Sequence, residues 1–313
     1  MNRIMECVPN YSEGRDKTVI NQIADAIGSV SAVKVLNVDP GADANRTVIT
    51  FAGEPEAVSE AAFRGAKAAS ELIDMSRHHG THPRIGATDV LPFVPVRGIT
   101  LDECARLARE LGRRMADELG IPVYLYEAAA LRPEFRNLAV CRAGEYEGIA
   151  EKLADPARCP DLLPHSSFLI PHSSLKSGCS VVGARDFLIA VNFNLATTSV
   201  ETATAIARQV REHGYQGRPG TLKCVKAIGW YIPEYGFAQV SCNLTNFHVT
   251  SLRQLFDEVS RVALLQGTRV TGTEIIGLVP EEALFPDAVS YLGLEQLRPF
   301  RQEEKVLEYV LNR

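Results

Sequence analysis

Two hydrophobic periods alternate along this chain. After a short strand over residues 1–11, Val19, Ile20, Ile23, Ala24 and Ile27 recur at helical spacing from about Asp16, which predicts a helix with one buried face. Residues 33–38 read as a strand, Asp39-Pro40-Gly41 with Asn45 as a turn, and residues 46–51 as the returning strand. Pro55 suits the first turn of a second helix, with Val58, Ala61, Ala68, Leu72 and Ile73 facing a core. A loop follows, and an apolar run over 90–96 closes a β-α-β-β-α-β order.

A further helix and strand extend this unit. Thr100 and Glu103 have the spacing of a capping box, Cys104, Leu107, Leu111, Met115 and Leu119 continue the helix, and residues 123–126 form a strand. Between 128 and 182 the periodicity fades, and a long irregular connection of this kind is more often functional than idle. The order then repeats. Residues 187–195 form a strand, Thr198 to Glu201 read as a capping box, and residues 225–232 and 237–244 form a hairpin. Ser251 and Gln254 cap another helix, residues 270–279 form the last strand, and residues 303–311 a terminal helix.

Two such passes predict an α/β (α+β) protein of two ferredoxin-like βαββαβ subdomains, residues 1–178 and 179–313, each a sheet with helices on one face. Two sheets with a free face each would meet across a ligand cleft or tunnel. The strand-turn-strand hairpins argue against a doubly wound parallel sheet.

Length and composition narrow the class. A chain of 313 residues suits two units, and 46% apolar with 23% charged residues are ordinary soluble values. A formal net charge of −5 gives no general reason to expect a nucleic acid partner. No apolar run reaches the length of a membrane span, and the N-terminus lacks the apolar core of a secretory signal. The seven cysteines are scattered, odd in number and without a CxxC pair, which points to a reducing cytosol.

Candidate chemistry concentrates in DMSRHHGTHPRIGATDVLPFVPV, residues 74–96. It holds His78, His79 and His82 within five residues, followed by Pro83 and Arg84. Gly80, Pro83 and Gly86 oppose regular structure there, so the histidines sit on a loop. His78 and His82 have the i, i+4 spacing of helical zinc ligands. The glutamate of an H-E-x-x-H motif is missing, however, and Pro83 pushes His82 toward extended backbone. No metal is therefore expected, and His78 and His79 read as solvated loop residues. For His82 a general acid–base role suits an imidazole titrating near neutral pH. Arg46, inside a strand, could bind a substrate carboxylate. Alternation places Asn192 and Asn194 on one face, toward solvent or a cleft. No dinucleotide fingerprint, P-loop or nucleophile elbow is present.

Several stretches together carry a family resemblance: ECVPNYSEG, NVDPGADANRTVITFAG, ELIDMSRHHGTHPRIGATDVLPFVPVRG, ELGIPVYLYE, RAGEYE, GARDFLIAVNFNL, AIGWYIPEYGFAQVS and EIIGLVP. They run in order over nearly the whole chain, which resembles the formiminotransferase domain of glutamate formimidoyltransferase and of formimidoyltransferase-cyclodeaminase. The resemblance implies two α/β subdomains, a folate tunnel between them and a homodimer. It implies transfer of the formimino group from N-formimino-L-glutamate to tetrahydrofolate, a co-substrate; the expectations of no metal and of a cytoplasmic setting stand on the histidine loop and the cysteines. The family's catalytic histidine falls on His82. Its folate-binding segment falls on Leu163, Pro164, Ser166, Ser167, Phe168 and Gly178, where this chain carries an apparent insertion. Asp39, Asn45, Arg46, Arg84 and Arg185 are the candidates for holding the substrates. No cyclodeaminase domain follows, so only the transfer step is expected. The competing readings are an enzyme acting on 5-formyltetrahydrofolate, a folate-binding protein without turnover, and a zinc hydrolase at His78 and His82.

Overall fold

The computed structural model describes residues 3–165, 175–297 and 299–313. The chain divides into two units, Met1–Arg185 and Asp186–Arg313. In the first, β1 (Ile4–Cys7), β2 (Asn10–Tyr11), α1 (Lys17–Gly28), β3 (Val33–Gly41), β4 (Arg46–Gly53), α2 (Pro55–Leu72) and β5 (Thr88–Arg97) follow one another. Strands β1 and β2 lie between β4 and β5, antiparallel to both, and β3 flanks β4. Asp16 starts α1 by accepting from the Thr18 and Val19 amides, and Pro55 opens α2, where its missing N–H costs nothing.

Next come α3 (Leu101–Leu119), β6 (Val123–Glu127), α4 (Leu138–Arg142), α5 (Ile149–Ala154) and β7 (Ser180–Ala184). Thr100 and Glu103 form the expected capping box on α3, and Gly120 ends it in the left-handed region. Strand β7 enters between β5 and β6, parallel to both. The first unit thus continues past the expected boundary near Cys179, because β7 hydrogen-bonds into its sheet. Asp39 and Gly41 also differ from expectation: they pair with Val48 and Arg46 inside the β3–β4 ladder, so the turn is confined to the residues between Gly41 and Arg46.

Packing explains where the first unit leaves room for chemistry. Ile49, Phe51, Leu91 and Phe93 join Ile23, Ala62, Ala66 and Leu111 in one core between sheet and helices. A second, smaller core forms around Val90, Tyr124, Tyr126, Phe135, Cys141 and Cys179. The irregular segment therefore gives β5–β7 a second covering layer instead of leaving that face free.

The second unit contains β8 (Ile189–Leu195), α6 (Val200–Val210), β9 (Val225–Ile232), β10 (Phe237–Leu244), α7 (Leu252–Leu265) and β11 (Val270–Ile276), then α8 (Ala288–Leu292), α9 (Gln302–Lys305) and α10 (Leu307–Leu311). Its sheet has the order β11-β8-β10-β9, antiparallel throughout. Val191 and Phe193 pack with Ile206, Leu255 and Val259. Ser251 and Gln254 cap α7 reciprocally as expected. On α6 the cap is Ser199, accepting from Thr202, one position later than the expected Thr198 box. The expected terminal helix is two short ones, interrupted at Val306. Among the described residues no helix is long and apolar enough to cross a membrane, and none of the seven cysteines forms a disulfide.

Candidate active site

The histidine loop is stitched in place at both ends. After α2, Asp74 caps a single 3-10 turn, Met75–Arg77, whose Met75 is buried. The Met75 amide donates to Lys176 O at 2.9 Å, and the Ala87 amide to Ser177 O at 2.8 Å. Cys179 N returns a bond to Ile85 O at 3.1 Å. Gly86 and Gly178 face each other in this bridge. A Cβ at Gly86 would overlap the Cys179 and Ser177 carbonyls, and Gly178 has φ +69°, so both positions require glycine. Residues 175–179, the end of the expected folate segment, thereby touch the base of the histidine loop.

The middle of the loop is braced by the turn before β4. Asn45 is left-handed, with φ 47°, and its side chain accepts from Gly14 N and donates to His79 O, both at 3.0 Å. His78 Nε2 donates to Asn45 O at 2.8 Å, and its Nδ1 accepts from Arg84 Nε at 3.3 Å. A carbonyl only accepts and a guanidinium only donates, so this pattern assigns the neutral Nε2–H tautomer. Burial holds the His78 pKa below the ordinary value, against the opposing bond to Asn45. The expectation of a solvated residue therefore fails for His78, which is 6% exposed. His79 is exposed. With both His78 nitrogens engaged, pairing with His82 on one metal ion would break the brace.

Arg84 completes that brace. Its two terminal nitrogens each lie 2.7 Å from Glu147, Nη1 reaches Glu145 at 3.0 Å, and Nη2 donates to His78 O at 3.1 Å. The bidentate Arg84 bond holds the Glu147 carboxyl down at about 2.

His82 is partly buried. Its Nδ1 lies 2.7 Å from Pro83 O, which must accept, so Nδ1 carries the proton and Nε2 the lone pair of the neutral ring. Burial, then the Arg46 and Arg142 guanidiniums, hold its pKa well below the ordinary histidine value.

Those two arginines converge on one carboxylate. Asp89, fully buried at the start of β5, accepts from Arg142 Nη2 at 2.5 Å and Nε at 3.2 Å, from Ile85 N at 2.9 Å, and from Arg46 Nη1. Arg46 Nε donates to Asn10 at 2.9 Å. Burial pushes the Asp89 carboxyl up, but the two guanidiniums outweigh it and leave the pKa at about 2. Arg46 is lowered to about 10 by burial, with Asp89 opposing.

In the second unit, alternation does place Asn192 and Asn194 on one face, and both are buried. Trp230 Nε1 donates to Gln239 at 3.0 Å, and Gln239 passes a bond on to Asn194 at 2.7 Å. Asn192 donates to Glu274 at 3.5 Å.

Comparison with known proteins gives these features a family. Residues 4–185 match the formiminotransferase domain, N-terminal subdomain, and residues 190–291 match the formiminotransferase domain. The chain belongs to the formiminotransferase domain family. It is 45% identical to a formimidoyltransferase-cyclodeaminase of Sus scrofa over 99% of its length, spanning 60% of that protein. It is 42% identical to a glutamate formimidoyltransferase of Thermoplasma acidophilum, covering 99% of both chains. For a glutamate formimidoyltransferase of Streptococcus pyogenes serotype M1 the identity is 41%, covering 98% of both.

Of the candidate residues read from the sequence, His82, Asn45, Arg46, Arg84 and Gly178 belong to these stitched segments. Asp39 lies on β3 opposite Val48. Arg185 follows β7, with its amide on Phe93 O at 3.0 Å. Pro164 is buried, and Leu163 O accepts from Arg113. Ser166, Ser167 and Phe168 lie outside the described residues. Sequence reasoning missed Asp89 and Arg142. The available signal was an acidic residue heading an otherwise apolar strand, in Thr88-Asp89-Val90-Leu91.

Proposed function

We propose that this chain transfers the formimino group of N-formimino-L-glutamate to N5 of tetrahydrofolate, giving 5-formiminotetrahydrofolate and L-glutamate. The observation that carries the reading is His82, its proton fixed on Nδ1 by Pro83 O at 2.7 Å, in a chain that matches relatives named glutamate formimidoyltransferase from end to end. N5 attacks the formimino carbon and must lose a proton, while the glutamate nitrogen must gain one to leave. Nε2 of one neutral imidazole accepts the first proton and returns it to the second nitrogen as the old C–N bond breaks. The formimino group ends on N5, the proton on glutamate, and His82 returns to its starting state. A pKa held below the ordinary value keeps the ring neutral and available as a base at physiological pH. Acid–base help of this kind is worth about 10²–10⁴-fold in rate.

Tetrahydrofolate is a co-substrate in this reading, and no metal takes part. Leu163, Pro164, Ser166, Ser167, Phe168 and Gly178 are proposed to face the folate. The hydrogen bonds between residues 175–179 and the histidine loop support that assignment for Gly178. Asp39, Asn45, Arg46 and Arg185 are retained as substrate candidates, whereas the engagement of Arg84 with Glu145 and Glu147 favours a bracing role. A cytosolic homodimer acting on small molecules alone completes the proposal.

The test is His82→Ala, assayed for glutamate release and for tetrahydrofolate binding. A kcat lower by about 10²–10⁴-fold with folate affinity retained is the expected result. Equal loss of both would make His82 a structural residue. Release of no glutamate by the wild-type chain, with folate still bound, would point to a folate-binding protein. Turnover of formyl donors in preference to formiminoglutamate would point to a 5-formyltetrahydrofolate enzyme.

A further inference from the structure

We infer that Arg46 and Arg142, held together by Asp89, form a carboxylate-binding site for the formimino donor beside His82. The identity of the ligand rests on the proposed reaction. The site itself rests on geometry.

Two guanidiniums share a single carboxylate here. The side chains of Arg46 and Arg142 are 10% and 13% exposed, and that of Asp89 is 0% exposed. Glu145 and Glu147, the acids that follow Arg142 most closely along the chain, are engaged by Arg84. The cluster therefore carries a net positive charge in a largely desolvated place, where an unmatched charge is costly unless an anion completes it. A structural pair would need only one arginine.

The donor count agrees. Asp89 takes Nη1 of Arg46 and both Nε and Nη2 of Arg142, and Asn10 takes Nε of Arg46. Arg46 Nη2 and Arg142 Nη1 are left, among the described residues, without a hydrogen-bonded partner. Two such donors on adjoining guanidiniums match the two oxygens of a carboxylate. Asp89 acts as the positioning residue: its Oδ1 also accepts from Ile85 N, which ties the arginine pair to the end of the histidine loop.

The neighbouring turn ties the pair to the front of that loop as well. Asn45 precedes Arg46 and is bonded to both His78 and His79. Both guanidiniums act on His82 strongly enough to disfavour its protonation, so one donor molecule can present a carboxylate to the pair and its formimino nitrogen to that ring.

Binding of the product L-glutamate to the full chain, measured by titration calorimetry without turnover, tests the site. Arg142→Gln is expected to weaken glutamate binding about 10- to 100-fold, the value of a lost charge-assisted hydrogen bond, while tetrahydrofolate affinity is kept. Arg142→Lys keeps a cation for Asp89 and should retain part of the affinity. In kinetics, the KM for formiminoglutamate should rise while the KM for tetrahydrofolate stays. Unchanged glutamate binding in both variants would overturn the site even if the enzyme turns over. Equal loss of glutamate and folate binding in the lysine variant would overturn it in favour of a purely structural cluster. Glutamate binding that depends on Arg142 in a chain without formimino transfer would leave the site standing and refute the proposed reaction.

Discussion

His78 Nε2 donates to the main-chain carbonyl of Asn45 at 2.8 Å, so a residue of the histidine loop is a strut between that loop and the turn before β4. Removing it leaves a buried carbonyl without its donor and Arg84 Nε without its acceptor. His78→Ala should therefore lower unfolding free energy by about 1–3 kcal/mol, measured by urea denaturation at pH 7. His78→Gln should recover part of the loss.

The same strut has a pH signature. The pKa of His78 is lower in the folded chain than the ordinary value near 6.5. The unfolded chain therefore binds the proton more readily, and the stability contributed is present above that value and lost as pH falls below it. Wild-type stability should begin to decline as pH falls below about 6.5. His78→Gln should show a shallower decline over the same window, and parallel curves for the two proteins would count against the neutral strut.

His82 has a separate and kinetic signature. Its pKa lies well below the ordinary histidine value because of burial and the two nearby guanidiniums. As pH falls, the base is lost only on its protonation, so the acid limb of kcat/KM should sit below about 6.5. Replacing Arg142 by Gln removes one of the opposing cations and should move that limb upward. An acid limb above 6.5 in the wild-type chain would speak against His82 as the base.

Asp89 joins both arginines to Ile85, and its removal strands two buried cations together. Asp89→Asn should cost about 3–5 kcal/mol, the usual penalty for breaking a buried ion pair from one side. Its effect should also exceed that of Arg142→Gln, because Asn retains shape but not charge. Thermal denaturation of the two variants side by side decides the point.

How much of this was legible beforehand follows from which interactions are local. Hydrophobic period and capping chemistry are short-range, so α1, α2, α3, α7 and the β9–β10 hairpin could be read from Asp16, Pro55, Thr100, Ser251 and the alternating runs. Strand β7 was missed because it is short and parallel, and its partners in β5 and β6 lie far away in sequence. The loop position of His82 was readable from Gly80 and Pro83, its acid–base candidacy from imidazole chemistry, and the family pattern fell on the same residue. The roles of His78, Arg84, Asp89 and Arg142 were not legible, since each depends on a partner at least 33 residues distant or on a network assembled by folding. A buried aspartate and a turn-forming aspartate look alike until those partners are in place.

Gly86 offers the cleanest way to disturb the site without touching its chemistry. It lies in a bridge opposite Gly178, with its α-carbon against the carbonyls of Ser177 and Cys179. An alanine methyl there meets the backbone of Ser177 and Cys179, and backbone cannot rotate away as a side chain can. Overpacking of this kind costs about 1–3 kcal/mol, and the strain is relieved most directly by parting the histidine loop from residues 175–179. Gly86→Ala should therefore remain folded, since neither main core includes this position. It should lose kcat and folate affinity together, because the proposed base and the end of the proposed folate segment move apart. That pattern differs from His82→Ala, which should spare folate binding. Amide hydrogen exchange at Ala87 and Cys179, both donors in the stitch, should rise in the variant. Full activity with unchanged protection at those two amides would show that the bridge does not hold the site together.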